Sequence, residues 1–319
     1  MIALDGWSAK QGTLARELVI EGRGLHTGRH VRVSVLPVHD ISGAREVHGI
    51  RFRRTDLSGA SDAGAEIPVD PALRWAQPLC TMLRTESAVG VRTVEHLLAA
   101  LVMCEIDHAV VALDAEELPI LDGSATPWVD AIRACGRVEL DRPKRFLRVL
   151  KPVTVESGGR GPKREMRIEP APCYEVDVTN DLKGFGGMTW SGELTPRVFA
   201  DEIAPSRSYG RIKWALPAML AGYLKRTPIL RGARLSCTAS IVGSRVIGGM
   251  RMPDEFVRHR VLDLVGDMAM AGGPLLGRIR ALRPCHEMNH RLVSALLSDR
   301  SAWRWESFPA RDPHQITGR

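Results

Sequence analysis

Polar and apolar positions along the chain fall into two successive runs of strand-like and helix-like segments. Glu17-Leu18-Val19-Ile20 and Val31-Arg32-Val33-Ser34-Val35-Leu36 alternate or run β-branched, with Gly22, Gly24 and Gly28 between them as turn signals, which predicts two strands. Thr93 is of a helix-capping type and stands just before Val94-Glu95-His96, and the good helix formers at 97–102 carry a helix onward. His108-Ala109-Val110-Val111-Ala112-Leu113 reads as a buried strand. Asp122-Gly123-Ser124-Ala125-Thr126-Pro127 then turns the chain into a second helix over 128–135.

Charge and proline at Leu140-Asp141-Arg142-Pro143 interrupt the apolar pattern and predict a boundary, giving one lobe over 1–141 and another over 142–319. Beyond it the order recurs. Strands are expected at 146–155, 165–169 and 174–178, a helical stretch after Pro196, a strand at 235–241 and a helix at 255–270. The glycines and proline of 157–163 predict a mobile hairpin tip between the first two of those strands. The repeated order predicts an α+β protein of two similar lobes.

Composition narrows the class without naming a function. With 319 residues, 44% hydrophobic, 25% charged and 5% aromatic, the chain can bury a full core and is neither disordered nor fibrous. Its longest strongly apolar run, 97–104, falls short of the roughly 20 residues a bilayer span needs. Met1-Ile2-Ala3-Leu4-Asp5 has an acid where a leader would begin basic, so a cytoplasmic protein is expected. Forty-four cations against 37 acids give +7, and only seven of the cations are lysine. They look scattered, so the excess reads as a compositional habit and no nucleic-acid partner is expected. Cys80, Cys104, Cys135, Cys173, Cys237 and Cys285 form no C-x-x-C pair and read as buried reduced thiols.

Candidate chemistry sits on the helices. His259 and Asp263 are four apart on the helix at 255–270, so they share one face, and Asp267 continues that line. The pair suits a divalent metal, although taken alone this spacing more often marks an ordinary surface His/Asp pair. Glu95-His96 can place an imidazole on a metal and a carboxylate beside its water. His286 lies in Arg283-Pro284-Cys285-His286-Glu287-Met288-Asn289, a loop running into the helix that contains 292–297. His26 and Asp122 sit beside glycines in tight turns, where a structural hydrogen bond and a substrate contact both fit. His30, His39, His48 and His314 have no motif around them and are expected to face solvent.

Gly22-Arg23-Gly24-Leu25-His26-Thr27-Gly28, Thr93-Val94-Glu95-His96-Leu97, Leu121-Asp122-Gly123-Ser124-Ala125 and the run Asp254-Glu255-Phe256-Val257-Arg258-His259-Arg260-Val261-Leu262-Asp263-Leu264-Val265-Gly266-Asp267 resemble the UDP-3-O-acyl-N-acetylglucosamine deacetylases, zinc hydrolases of lipid A synthesis. The resemblance covers most of the chain in collinear order. It implies two sheets with the helices sandwiched between them, and a nucleotide-sugar substrate. It also implies that His96, His259 and Asp263 hold zinc, with iron(II) as a second metal such a set can take. Glu95 is then the general base, His286 the acid that protonates the leaving amine, and Asp267 the carboxylate that orients and charges His286. Ser208 falls where these enzymes usually carry an oxyanion-binding threonine, and Arg260 and Arg283 match basic positions near the diphosphate. His26 is placed toward the substrate, and Cys80 toward packing at the edge of the site. A monomer is expected.

Two departures stand out. Leu182 matches a position where the family sets an aromatic ring against uracil. The stretch 209–234, which resembles the family's insert around a passage for the acyl chain, carries Arg211, Lys213, Lys225, Arg226, Arg231 and Arg234, with Ala233 in place of a glycine. A cation facing an acyl chain is costly to desolvate, so a shortened or partly blocked passage is expected. The alternative reading is thus a paralogous deacetylase of another N-acetylated amino sugar with a short acyl chain or none. An alternative of another class is a basic, non-catalytic nucleic-acid-binding protein.

Overall fold

The structure is a computed structural model that describes residues 6–39, 49–57, 66–158 and 161–308. Within them the first lobe opens with β1 (Lys10–Leu14), β2 (Leu18–Arg23), β3 (His30–Pro37), β4 (Gly49–Arg54) and β5 (Glu66–Pro68). A small separate sheet follows, made of β6 (Arg74–Trp75), β7 (Met82–Arg84) and β8 (Gly90–Arg92). Then come α1 (Glu95–Met103), β9 (His108–Leu113), α2 (Thr126–Cys135) and β10 (Arg137–Pro143).

The second lobe starts with β11 (Phe146–Val149), β12 (Val153–Glu156), β13 (Glu165–Glu169), β14 (Tyr174–Leu182) and β15 (Gly186–Glu193). Its insert holds the single turn α3 (Pro196–Val198), a wider turn over Phe199–Ile203, β16 (Tyr209–Arg211), α4 (Ile212–Leu224), β17 (Ala239–Val242) and β18 (Arg245–Val246). The chain ends its described part with α5 (Glu255–Met268), β19 (Leu275–Leu282), α6 (His286–Ser298) and β20 (Trp303–Glu306).

Both lobes pair their strands by one plan. In the first, β9 runs parallel to β4, antiparallel to β3 and meets β1 in parallel. In the second, β19 stands in the same relation to β14, β13 and β11. Hairpins β2–β3 and β4–β5 match β12–β13 and β14–β15, and β10 and β20 pair with β1 and β11. The repeated order of elements is therefore a repeated topology. Each lobe also carries its small extra sheet at the same point of the plan, between its fifth strand and its helix of the central layer, α1 or α5.

The long helices lie in the layer between the sheets. Every residue of α1 except Val102 is buried, and every residue of α5 except Arg258 and Arg260. A helix covered on all sides needs cover from more than one element. One apolar cluster runs through both lobes, from Leu14 and Phe52 through Leu97 and Val261 to Ile279 and Leu296. The closest approach is between α1 and α5 at Gly266, where a Cβ would collide with the Glu95 carbonyl. Glycine there lets two helices that carry candidate chemistry touch backbone to backbone.

Several expected boundaries move, each for a local reason. The strand expected over 146–155 is two strands, because β11 pairs with β19 and β20 whereas β12 pairs with β13, and Pro152 falls at the change of partner. The charged run ending in Pro143 is itself extended: it lies in β10, an edge strand, where a missing N–H is tolerated. The strand expected over 235–241 starts only at Ala239, because Cys237 closes a turn onto the Arg234 carbonyl. Thr93 does not cap α1; its φ is +57° and its hydroxyl donates to Glu117 Oε1 at 3.0 Å. The last turn of the helix expected to 270 tightens to a 3-10 turn at Ala269–Ala271. The insert expected over 209–234 continues through β17 and β18.

The six cysteines are free; Cys80, Cys135 and Cys237 are buried and the other three partly so. His30 and His39 are exposed, while Met1–Asp5, His48, His314 and residues 159–160 of the hairpin tip lie outside the described residues. Among the described residues no helix is long and apolar enough to cross a membrane.

Candidate active site

His96 belongs to the first turn of α1, and His259 and Asp263 are successive turns of α5, so the close crossing at Gly266 brings the three together. One donor atom from each lies within 4.8 Å of the others, and all three residues are buried. His259 Nε2 is 3.4 Å and His96 Nε2 3.9 Å from Asp263 Oδ1. The two imidazoles meet edge to face, 5.2 Å between centroids. His259 donates from Nδ1 to the Ser206 carbonyl at 3.1 Å, which leaves Nε2 with a lone pair aimed at the cluster. Burial, then the neighbouring His259, push His96 down to about 3, and burial lowers His259 as well. Both rings are thus neutral, the form that ligates. Burial opposes the Asp263 charge, but His259, His286 and Arg260 outweigh it and hold this carboxyl below its ordinary range. Two neutral imidazoles and one carboxylate, converging within a few ångströms, fit one divalent metal with room for further ligands.

A second cluster flanks the first. His286, at the start of α6, donates from Nδ1 to Asp267 Oδ2 at 2.9 Å, and its Nε2 lies 4.0 Å from both Glu95 Oε1 and Asp263 Oδ2. Burial works against the His286 charge, but Asp267, Asp263 and Glu95 outweigh it and hold the imidazole up at about 10. Burial also works against Asp267, which His290 and His286 nevertheless keep down at about 2. Glu95 behaves oppositely: burial pushes its carboxyl up to about 8, with Asp267 and Asp263 adding to the rise and His286 opposing it. One buried acid and one buried base of reversed ordinary character face the same small space, the pattern expected where protons are moved.

The remaining expected residues divide. Ser208 reaches the cluster, its Oγ 3.2 Å from His259 Nε2, and it is fixed by its N–H on the Gly123 carbonyl at 2.7 Å. Gly123 has φ +85° and packs against the Cys237 carbonyl, so the Asp122-Gly123-Ser124 turn ties the first lobe to the insert of the second. Asp122 itself holds that turn through Ser124 and pairs with Arg251 at 2.9 Å. Arg260 donates to Asp263 Oδ2 at 3.1 Å and to the Tyr209 hydroxyl at 2.9 Å. His26 is buried; its backbone N–H is held by Glu117 at 2.7 Å and its ring Nε2 has no partner. Arg283 does not join the cluster: it stands past the end of β19, paired with Asp181 at 3.0 Å.

The departures take a different meaning in three dimensions. Leu182 packs in a cluster with Phe185, Tyr209, Ile241 and Phe256, so aromatic side chains surround the position where none was expected. Lys213, Lys225, Arg226, Arg231 and Arg234 are exposed, and Arg211 is turned onto the Lys183 and Gly243 carbonyls. Their charges remain hydrated or hydrogen-bonded.

Three residues of the site were not foreseen. The Thr81 N–H donates to Glu95 Oε2 at 3.0 Å, and its hydroxyl donates to Asp267 Oδ1 at 2.5 Å while accepting from His290 Nε2 at 2.9 Å. Asn289 Nδ2 adds a 2.8 Å bond to Asp267 Oδ2. His290 stands one helical turn beyond His286, a spacing that was readable, whereas nothing around Thr81 except its neighbour Cys80 marked it.

Comparison with known proteins agrees with this geometry. A family model described as LpxC, UDP-3-O-acyl N-acetylglycosamine deacetylase, matches residues 11–298. A UDP-3-O-acyl-N-acetylglucosamine deacetylase of Phenylobacterium zucineum is 34% identical over 302 residues, 93% of this chain and 97% of the relative. Proteins of the same description from Vibrio cholerae serotype O1 and Neisseria gonorrhoeae are 33% and 31% identical, over 94% and 95% of this chain and 93% and 94% of theirs.

Proposed function

The chain belongs to the UDP-3-O-acyl-N-acetylglucosamine deacetylase family, and from that premise we propose how its residues divide the reaction. The protein is a metal-dependent hydrolase that releases acetate from the acetamide of a UDP-linked 3-O-acyl-N-acetylglucosamine, in lipid A biosynthesis. His96, His259 and Asp263 hold the metal, and zinc is our assignment, with iron(II) as the other ion this donor set suits. When bound, such an ion polarises the amide carbonyl and lowers the pKa of a coordinated water toward ~7.

Glu95 removes a proton from the attacking water, whose oxygen bonds to the carbonyl carbon. Ser208 donates its hydroxyl hydrogen to the oxygen on which charge develops. His286 gives its Nε2 proton to the amide nitrogen as the C–N bond breaks, so that acetate and the free amine leave. Asp267 keeps His286 charged and oriented. Arg260 faces the diphosphate, Arg283 reaches it by releasing Asp181, and the unpartnered His26 Nε2 takes a polar group of the sugar. We further propose that the chain divides near residue 142, acts as a cytoplasmic monomer and has no nucleic-acid partner.

The observation that carries this reading is the placement of Glu95 and His286, 4.0 Å apart, beside the His96, His259, Asp263 set, with their proton affinities reversed from ordinary values. The test is acetate release from UDP-linked N-acetylglucosamine with and without a 3-O-acyl chain, in protein as purified, after a strong chelator, and after zinc is returned. About one metal ion per chain is expected, with activity lost and regained accordingly. Full activity in metal-free protein would overturn the assignment.

A further inference from the structure

The insert of the second lobe has a surface unlike the rest of the molecule. Sixteen large apolar side chains stand exposed among the described residues, and ten of them lie between 212 and 247. Helix α4 rests on the fold only through Ala215, Ala218 and Gly222, an i, i+3, i+7 set. Its other positions face outward. Ile212, Leu216, Leu220, Tyr223 and Leu224 recur at helical spacing and form one apolar ridge, with Leu216, Tyr223 and Leu224 each more than 70% exposed. The sulfur of Met219 extends that ridge.

Charge is distributed with the same asymmetry. From 203 to 253 the chain has nine cations and no Asp or Glu, so this stretch alone exceeds the net charge of +7 and the rest is net acidic. The even scatter expected from composition is thus corrected: the excess is local. Arg207 and Arg251 are spent on Glu255 and Asp122, and Arg211 on backbone carbonyls. Lys213, Lys225, Arg226, Arg231, Arg234 and Arg245 are exposed and make no ion pair among the described residues. Elsewhere surface cations are interleaved with acids, as in Arg32–Glu21 and Arg280–Glu169.

We propose that this insert docks on an anionic lipid bilayer, with α4 lying in the interface, its apolar ridge among the acyl chains and the free cations at the headgroups. An exposed, almost wholly apolar helix flanked by unpaired Lys and Arg is the chemistry that such a surface selects. A second copy of the chain fits poorly, because a face-to-face pair would set six unpaired cations against six. A nucleic acid satisfies the cations but offers nothing to a ridge of leucines. The proposal is independent of the chemistry assigned to the active site.

The experiment is co-sedimentation of the full chain with vesicles of phosphatidylcholine alone and of phosphatidylcholine mixed with phosphatidylglycerol, without substrate. Binding to the anionic vesicles should be at least ~10-fold tighter and should weaken as salt rises. Two double variants at exposed positions, L216E/L220E and K225E/R226E, should each lower it by ~10-fold, and circular dichroism confirms their folding. No binding to anionic vesicles, equal binding to neutral ones, or binding indifferent to both variants overturns the proposal. So does a concentration-dependent dimer that L216E/L220E dissolves, which would assign the ridge to a second copy.

Discussion

Thr81 and Asp267 are joined by a 2.5 Å hydrogen bond although 186 positions separate them in sequence, and the same threonine holds Glu95 through its backbone N–H. One residue just before β7 therefore braces both the proposed base and the carboxylate behind the proposed acid. Thr81→Val keeps the N–H and removes the hydroxyl, leaving Asp267 Oδ1 and His290 Nε2 each short of a partner. Loss of such an outer hydrogen bond lowers turnover by ~10-fold or more, and a buried polar group left unpaired costs about 1–3 kcal/mol of stability. Thr81→Ser should restore most of both. A valine variant with wild-type kcat would show that the hydroxyl does not position the acid.

Glu95 and His286 differ in what they should cost. Glu95→Gln and His286→Gln are each expected to lower kcat by at least ~10²-fold, the scale of a positioned proton-transfer group, while the metal content stays unchanged. The pH profile of kcat/KM should be bell-shaped in the parent protein. His286→Gln should abolish the fall at high pH, because the group whose deprotonation causes it is gone. If His286→Gln instead released the metal, this histidine would be a ligand and the proposed acid would have to be sought elsewhere.

Much of this arrangement was legible because helices report their own geometry. His259 and Asp263 at i, i+4 could be placed on one face from spacing alone, and the recurring order of strands and helices anticipated the duplicated topology. Thr81 could not be found that way: it sits in irregular chain just before β7, and contacts across 186 positions leave no periodic trace. Thr93 was misread because a capping residue type says nothing about φ, and here the backbone is left-handed. The setting of the insert's cations was hidden for a related reason. Sequence shows that Lys225 and Arg226 are charged, but only the fold shows that they stand exposed just past the end of α4.

Stability of the chelated protein should fall as pH rises, and the sign follows from the two buried groups. His286 is held at about 10 against an ordinary 6.5, so its contribution is complete below pH 6.5 and is lost as pH climbs toward 10. Glu95 is raised to about 8 against an ordinary 4.5, so between those values the folded state keeps a proton that the unfolded state has released, and stability again declines with pH. Glu95→Gln removes the second contribution and only a minor part of the first, which Asp267 and Asp263 chiefly sustain. Metal-free Glu95→Gln should therefore melt several degrees above the metal-free parent at pH 8 and close to it at pH 4.5. A parent whose melting temperature is flat from pH 5 to 9 would contradict the burial assigned to both groups.

Gly266→Ala tests whether the helix crossing itself makes the site. A Cβ there meets the Glu95 carbonyl, on the residue that is both the first of α1 and the proposed base. Both partners are backbone in the interior, so neither can swing aside as an exposed side chain would, and the helices must separate. Overpacking of this kind costs about 1–3 kcal/mol. It also moves Glu95 away from His286, and displacement near 1 Å at a reacting group can cost ~10²-fold in rate. Gly187, in β15, has open space where its Cβ would go, so Gly187→Ala serves as the matched control and should leave both properties near those of the parent. Calorimetry and acetate release on the two variants decide the matter: Gly266→Ala should lose several degrees of melting temperature and most of its kcat together. If it lost stability but kept kcat, the crossing would hold the fold without setting the distance between base and acid.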